Sequence, residues 1–287
     1  ADQLTVADDL RGLTVLVTGA NSGLGRATVE ALAARGAHVI LAARSAERTA
    51  PVLEGIRTQS PSATVEFLPL DLADLGSVRR AADLVLANGR TLDVLINNAG
   101  IAGTFGLSAD GFDLTYATNH IGPFLLTELL RPALERAPQG RIVNVSSVAQ
   151  MKVKGLDWSL LERRTEPRRS GFLDYGATKL MNVLHAKELA RRLSATRVTT
   201  YAVHPGGVAS NIWRALPRPV QWGLKLFLLS NEEGAKTQID CATAPELAGE
   251  TGRYYAASRE TAPNPLADDA ALAEELWRRT ERAIASS

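Results

Sequence analysis

The chain has 287 residues, 45% of them hydrophobic and 22% charged, a profile that excludes disordered and fibrous classes and leaves ample apolar material for a globular core. A formal net charge of +1 gives no pull toward nucleic acid or an anionic membrane. With Cys241 as its one cysteine, the chain has neither an intrachain disulfide nor paired thiol ligands for a metal, and a reducing, cytoplasmic setting is expected.

The first residues, ADQLTVADDLRG, show neither a basic n-region nor an apolar h-region, and no stretch approaches about eighteen uncharged apolar residues, so no membrane anchor is expected. No Gly/Ser-rich linker or long charge run divides the chain, and 1–287 reads as a single domain.

LTVLVTGA is a short β-branched and Leu-rich run closed by glycine, and GLGRATVEALAARG follows with apolar residues at helical spacing as far as Gly36. AHVILAAR predicts a second strand. The alternation continues through VEFLPLD, the helix LGSVRRAADLVLA and LDVLINNAG. After these come a long helix around DLTYATNHIGPFLLTELLRPALE, the strand GRIVNVSS, the helix YGATKLMNVLHAKELARRL and the strand RVTTYAVHPG. Uniformly apolar strands separated by amphipathic helices predict an α/β architecture, a doubly wound parallel sheet of the Rossmann type with helices on both faces. Ligands of such sheets sit beyond the carboxyl ends of the strands, where the unusual residues of this sequence fall.

Two segments interrupt this order. The stretch at about 150–173 is long and irregular, and 211–229 combines Trp, Phe and Leu with two prolines; both are expected to cover the substrate, although 211–229 also reads as core or as an oligomer contact. Trp158, Trp213 and Trp222 are candidate pocket walls. The basic cluster Arg163, Arg164, Arg168 and Arg169 reads as a solvated loop.

In TGANSGLG, Gly19, Gly23 and Gly25 let the backbone turn tightly against a ligand, with Asn21, Ser22 and Leu24 between them, and the helix that follows offers unpaired amides to a pyrophosphate. At the end of the second strand, where an acid would hold the adenosine ribose of NAD, this sequence has Ala43 and Arg44. An arginine attracts a 2'-phosphate, which favours NADP(H) over NAD(H), and Arg26 at the helix start would add positive charge. His120, His185 and His204 lack ligand spacing with acids or thiols, and no metal site is expected.

Taken together and in order, TGANSGLG, LDL, NNAG, Asn119, NVSS, YGATK and HPGG resemble the short-chain dehydrogenase/reductase family over nearly the whole chain. By that resemblance Asp71 and Leu72 contact adenine, and Asn98, Ala99 and Gly100 border the adenosine ribose. Pro205, Gly206 and Val208 pack near the nicotinamide carboxamide, with Ser210 replacing a threonine but keeping its hydroxyl. For Asp71 a helix cap is the other reading.

Tyr175 and Lys179 stand four residues apart, neighbours on one helical face, so the ammonium reaches the region of the phenol and of the cofactor ribose and is expected to favour phenolate. Tyr175 becomes the proton donor in carbonyl reduction or the base in alcohol oxidation. Ser147, at the end of its strand, would donate to the carbonyl oxygen as charge develops, Ser146 being its structural neighbour. The resemblance assigns Asn119 a water that relays protons to the lysine; a satisfied helix-interior amide is the other reading.

VTGANSGLG, LAARS, ATNHIGPFLLT, RIVNVSS and TTYAVHPG look most like the retinol dehydrogenase-like branch, as does the insertion before Tyr175. That resemblance implies a hydride transfer between nicotinamide and a ketone, aldehyde or secondary alcohol, bulky and apolar. It also implies a homodimer or homotetramer built on the helices of Asn119 and Tyr175. A catalytically silent dinucleotide sensor, a C=C reductase and an epimerase are the alternatives.

Overall fold

Side chains alternate across a strand, so Val15 and Val17 of β1 (Thr14–Thr18) enter one apolar layer and Leu16 the other, and all are fully buried. The computed structural model describes residues 9–87, 89–167, 172–207 and 230–287. Its sheet continues with β2 (His38–Ala43), β3 (Val65–Pro69), β4 (Val94–Asn97), β5 (Arg141–Val145), β6 (Thr199–His204), β7 (Arg253–Ala256) and β8 (Arg259–Glu260). The strand order is β3-β2-β1-β4-β5-β6-β7-β8. Leu16 pairs with Ile40 on one side and Leu95 on the other.

All neighbours through β7 are parallel, and β8 alone runs antiparallel, returning from β7 through Ala257 and Ser258 in the left-handed region at φ 49 and 58. The expected parallel sheet therefore holds except for this two-residue edge strand, whose short length limits further pairing.

One layer contains α1 (Gly23–Ala34), α2 (Ala46–Gln59) and α7 (Asn231–Thr243); the other contains α3 (Leu75–Leu86), α5 (Gly122–Glu135), α6 (Phe172–Arg192) and α8 (Ala270–Ala285). The short α4 (Leu114–Tyr116) runs through a π-helical turn, Ala117–Ile121, into α5. Asp74, not Asp71, caps α3, accepting from the Ser77 amide at 3.0 Å. Asp71 accepts instead from the amide of Ala73 at 3.0 Å.

Every residue of α6 from Tyr175 to Ala186 is buried, because α8 lies along the side of the helix that the sheet does not cover. Trp277 of α8 meets the Phe124 ring edge-on at 4.6 Å and carries the Arg192 guanidinium over its face at 4.2 Å. A second copy approaching this side would meet α8 before α6.

The segment expected to form a loose cover is partly folded into the core. It holds two 3-10 turns, Val148–Lys152 and Trp158–Leu161, and buries Leu160 and Leu161. Arg163 lies over the Phe112 ring at 5.8 Å and Arg164 donates to the Ser159 carbonyl at 2.8 Å, so these two are not simply solvated. Arg168 and Arg169 lie outside the described residues. Among the described residues no helix is long and apolar enough to cross a membrane.

Candidate active site

The strand order reverses between β1 and β4, and a crevice opens beyond the carboxyl ends of the strands at such a reversal. A cavity of about 1160 Å³ lies there. It exceeds the roughly 300–1,000 Å³ of ordinary ligand pockets, enough for a dinucleotide and a second molecule.

One end is built by the β1–α1 turn. Gly19, Asn21, Ser22, Gly23, Leu24 and Gly25 all line the cavity. A methyl at Gly25 would stand 2.7 Å from the Asn98 amide nitrogen and 2.9 Å from the Gly19 carbonyl carbon, so this turn is drawn tight and only glycine fits. Ser22 caps α1 without a side-chain bond, and the first amides of a helix have no intrahelical partner. Such a cradle fits a pyrophosphate.

Asp71 and Leu72 line the cavity beside this turn, as do Asn98, Ala99 and Gly100. Thr18, which the sequence reading passed over, fixes that second loop: its hydroxyl accepts from the amides of Asn98 at 3.1 Å and Ala99 at 3.0 Å, while the Asn98 side chain donates to the Thr18 carbonyl at 2.8 Å. Gln238 of α7 reaches the Asn98 amide oxygen at 3.3 Å.

Arg44 lines the cavity, and so does Arg48, which sequence reasoning missed although it lies four residues on, in the first turn of α2 behind the N-cap Ser45. Arg26 does not join them. It pairs with Glu30 at 2.7 Å, an i,i+4 contact on the outside of α1.

At the other end Ser147, Tyr175 and Lys179 meet on one wall. Ser147 follows β5 and caps the turn Val148–Lys152, its hydroxyl accepting from the Ala149 amide at 3.3 Å and also bonding Tyr175. The Ser146 hydroxyl is taken by the Lys179 carbonyl at 2.7 Å, which distinguishes the two serines.

Burial pushes the Tyr175 phenol up to about 12, against the pull of the Ser147 hydrogen bond, and takes the Lys179 ammonium down to about 8. Among the chain's own groups, burial and not the ammonium therefore sets the direction for the phenol; the expected pull toward phenolate included a cationic nicotinamide as well. The lysine nitrogen donates to the Val145 carbonyl at 2.8 Å and stands 5.5 Å from the centre of the Tyr175 ring, so dehydration of the phenolate outweighs a cation held at that distance.

Asn119 lies behind this wall and does not line the cavity. It sits in the π-helical turn, a feature frequent at functional sites, with its amide oxygen accepting from Ile101 N–H at 2.8 Å and its nitrogen donating to the Ile101 carbonyl at 2.9 Å and to Thr178 at 3.0 Å. The satisfied-amide reading therefore describes its geometry. A methyl at Gly100, the residue before Ile101, would stand 3.2 Å from the Lys179 nitrogen.

Pro205 and Gly206 line the cavity, with His204 beside them and its imidazole pushed down by burial. Val208, Ser210, Trp213, Trp222 and the rest of 211–229 lie outside the described residues. Trp158 is no pocket wall: it lies under the Arg279 guanidinium at 5.0 Å, packed toward α8. Leu114, Val148, Met151 and Val153 supply the apolar wall near Ser147. Among the described residues no group of His, Cys, Asp or Glu has the makings of a metal site.

Comparison with known proteins places this geometry. The family model for short chain dehydrogenases matches residues 13–159. The human protein named dehydrogenase/reductase SDR family member 13 is 42% identical over 282 residues, covering 96% of this chain and 74% of its own. Human retinol dehydrogenase 12 is 40% identical over 271 residues, 93% of this chain and 85% of its own. A solved chain from Beutenbergia cavernae, described as an NAD(P) dependent gluconate 5-dehydrogenase with NADP bound at low occupancy, superposes with a TM-score of 0.70 at 25% identity, covering 87% of this chain and 96% of the other.

The chain belongs to the short-chain dehydrogenase/reductase family. Within it the chain is retinol dehydrogenase-like, an NAD(P)-dependent dehydrogenase/reductase that acts on CH–OH and C=O groups.

Proposed function

We propose that the protein interconverts bulky, largely apolar ketones or aldehydes and their alcohols, using NADP(H) in preference to NAD(H), as one catalytic domain over 1–287 in a reducing compartment such as the cytoplasm. The observation that carries the reading is the meeting of Ser147, Tyr175 and Lys179 on one wall of a cavity whose far end is the glycine-rich turn. The coenzyme, when bound, supplies or takes the hydride.

The turn from Gly19 to Gly25 would hold its pyrophosphate, Asp71 and Leu72 its adenine, and Asn98 to Gly100 its ribose, with Pro205 and Gly206 toward the nicotinamide. Val208 and Ser210 are proposed for the same end on the sequence alone. Arg44 and Arg48, with Ala43 and Arg44 rather than an acid at the end of β2, favour the 2'-phosphate through charge-assisted bonds.

In carbonyl reduction Tyr175 gives its proton to the substrate oxygen, and the Ser147 hydroxyl donates to that oxygen as its charge grows. Lys179, anchored on Val145, then favours the phenolate left behind. Asn119 acts here as a brace, holding the Gly100–Ile101 backbone against the lysine. The apolar wall of Leu114, Val148, Met151 and Val153 supports an apolar substrate, in keeping with the name retinol dehydrogenase 12.

The test is purified protein with NADPH or NADH and a panel of decanal, all-trans-retinal and a steroid ketone, followed at the reduced-nicotinamide absorbance with product analysis. Turnover to the alcohol, with kcat/KM for NADPH at least about tenfold above NADH, is expected. Tight NADPH binding with no turnover of any compound would favour a sensor instead.

A further inference from the structure

The turn that carries Ser147 is gripped from a part of the chain far from the proposed catalytic residues. Val148 and Met151 in this turn are exposed, at 58% and 47%, yet Gln150 between them is completely buried. Its partner is Asn264, 3% exposed, in the segment that follows β8.

Asn264 ties this turn to the segment after β8 through three hydrogen bonds. Its N–H donates to Gln150 Oε1 at 2.9 Å, and its Nδ2 donates to the carbonyls of both Gln150 and Val153 at 2.8 Å. Its Oδ1 accepts from the Leu266 amide at 2.9 Å, capping the 3-10 turn Pro265–Asp268. The Tyr254 side chain bonds Gln150 as well.

A 3-10 turn of five residues has little stability of its own, so these buried bonds decide where it sits. On its opposite side the turn lies against α6. A methyl at Gly176, next to Tyr175, would stand 2.9 Å from the Ala149 carbonyl oxygen. The turn is thus wedged between Asn264 and the backbone beside Tyr175. A shift there changes how the Ser147 hydroxyl meets the phenol, and an error of about 1 Å in such a geometry can cost on the order of a hundredfold in rate.

We propose that Asn264, acting through Gln150, is the positioning residue that sets the Ser147 hydroxyl against Tyr175. This rests on the reading of Ser147 as the donor to the substrate oxygen. Asn264 touches neither substrate nor coenzyme in this role.

Asn264→Asp tests it, because aspartate keeps the Oδ1 cap and the backbone bond to Gln150 but aims an oxygen at two carbonyls. With NADPH and the panel compound turned over fastest, kcat falls at least about tenfold while KM for NADPH changes less than about twofold. The alkaline limb of the pH–rate profile moves upward as Tyr175 loses the Ser147 bond. In a Ser147→Ala background the same substitution costs less than about twofold in kcat, since the group it positions is gone.

Equal fold losses in the two backgrounds, or a folded Asn264→Asp protein with undiminished kcat, overturn the proposal. If Asn264→Asp does not fold, Gln150→Met, which keeps the length and removes the acceptor, goes through the same cycle under the same criteria. Ser147→Ala with unchanged kcat refutes the role of Ser147 itself, an outcome read from the cycle independently of Asn264.

Discussion

The Lys179 ammonium nitrogen lies 5.5 Å from the centre of the Tyr175 ring and spends a hydrogen bond on the Val145 carbonyl at 2.8 Å. With the phenol held up at about 12 by burial, Tyr175 is protonated throughout the neutral range and is ready to give a proton. Carbonyl reduction should therefore persist across neutral pH, whereas alcohol oxidation, which needs the phenolate, should climb as pH rises. Tyr175→Phe should lower kcat about 10²- to 10⁴-fold in both directions. Steady-state rates from pH 6 to pH 10 in each direction check this; a phenylalanine variant within about twofold of the parent would remove Tyr175 from the mechanism.

Arg44 and Arg48 should act on coenzyme choice rather than on chemistry. A hydrogen bond to a charged partner contributes roughly 1.5–3 kcal/mol, so each alanine substitution should cost NADPH roughly ten- to a hundredfold in kcat/KM and leave NADH nearly unchanged. The double substitution should bring the two coenzymes close to parity. Equal losses with NADPH and NADH would show that the arginines serve the fold or the pyrophosphate, and not a 2'-phosphate.

A pair of buried histidines makes the fold sensitive to acid. The rings of His120 and His185 are 6.1 Å apart, with His120 Nε2 on the Thr280 hydroxyl at 2.9 Å and His185 Nδ1 on the Asn144 side chain at 3.3 Å. Burial pushes His120 down to about 3 and His185 well below its ordinary 6.5. Because the folded values lie below the unfolded one, the unfolded chain binds extra protons once pH drops under about 6.5. Stability is then complete above that pH and is lost progressively as pH falls toward 3, each imidazole adding up to about 1.4 kcal/mol per pH unit. Urea midpoints between pH 7.5 and pH 5 measure the slope, and His120→Gln should flatten it. A parent protein with no slope there would mean that the imidazoles are not shielded from water.

How far the sequence predicted this site depends on how local each feature is. The alternation of apolar strands and helices set the Rossmann order, and Tyr175 and Lys179 share a helical face whatever surrounds them. Arg48 was legible by the same spacing logic, and the i,i+4 partner Glu30 should have disqualified Arg26. The Lys179 environment was not legible, because it is set by the Val145 carbonyl of β5, 34 residues away in sequence, and by the Gly100 backbone, which no local spacing brings to the helix. Trp158 misled for a similar reason: nothing near it announces Arg279, and an aromatic beside a pocket motif serves packing as readily as binding. The grip of Asn264 on Gln150 crosses 114 residues and leaves no periodic trace.

The β3–α3 loop that carries Asp71 and Leu72 is fixed by a backbone contact at the start of α5. A methyl on Gly122 would stand 2.9 Å from the Leu72 carbonyl carbon and 3.0 Å from its Cβ, closer than packed atoms allow, so Gly122→Ala must push α5 and this loop apart. Overpacking of this kind costs about 1–3 kcal/mol, and because Leu72 lines the cavity, NADPH affinity should fall together with the urea midpoint. Gly55, in the middle of α2 with nothing within 4 Å of an added methyl, is the counterpart. Gly55→Ala should stabilise the protein by about 0.5–1 kcal/mol through the helix alone and leave NADPH binding untouched. Urea melts and fluorescence titrations of the two variants beside the parent rank them, and a Gly122→Ala protein as stable as Gly55→Ala would mean that α5 and the Leu72 loop are not in contact.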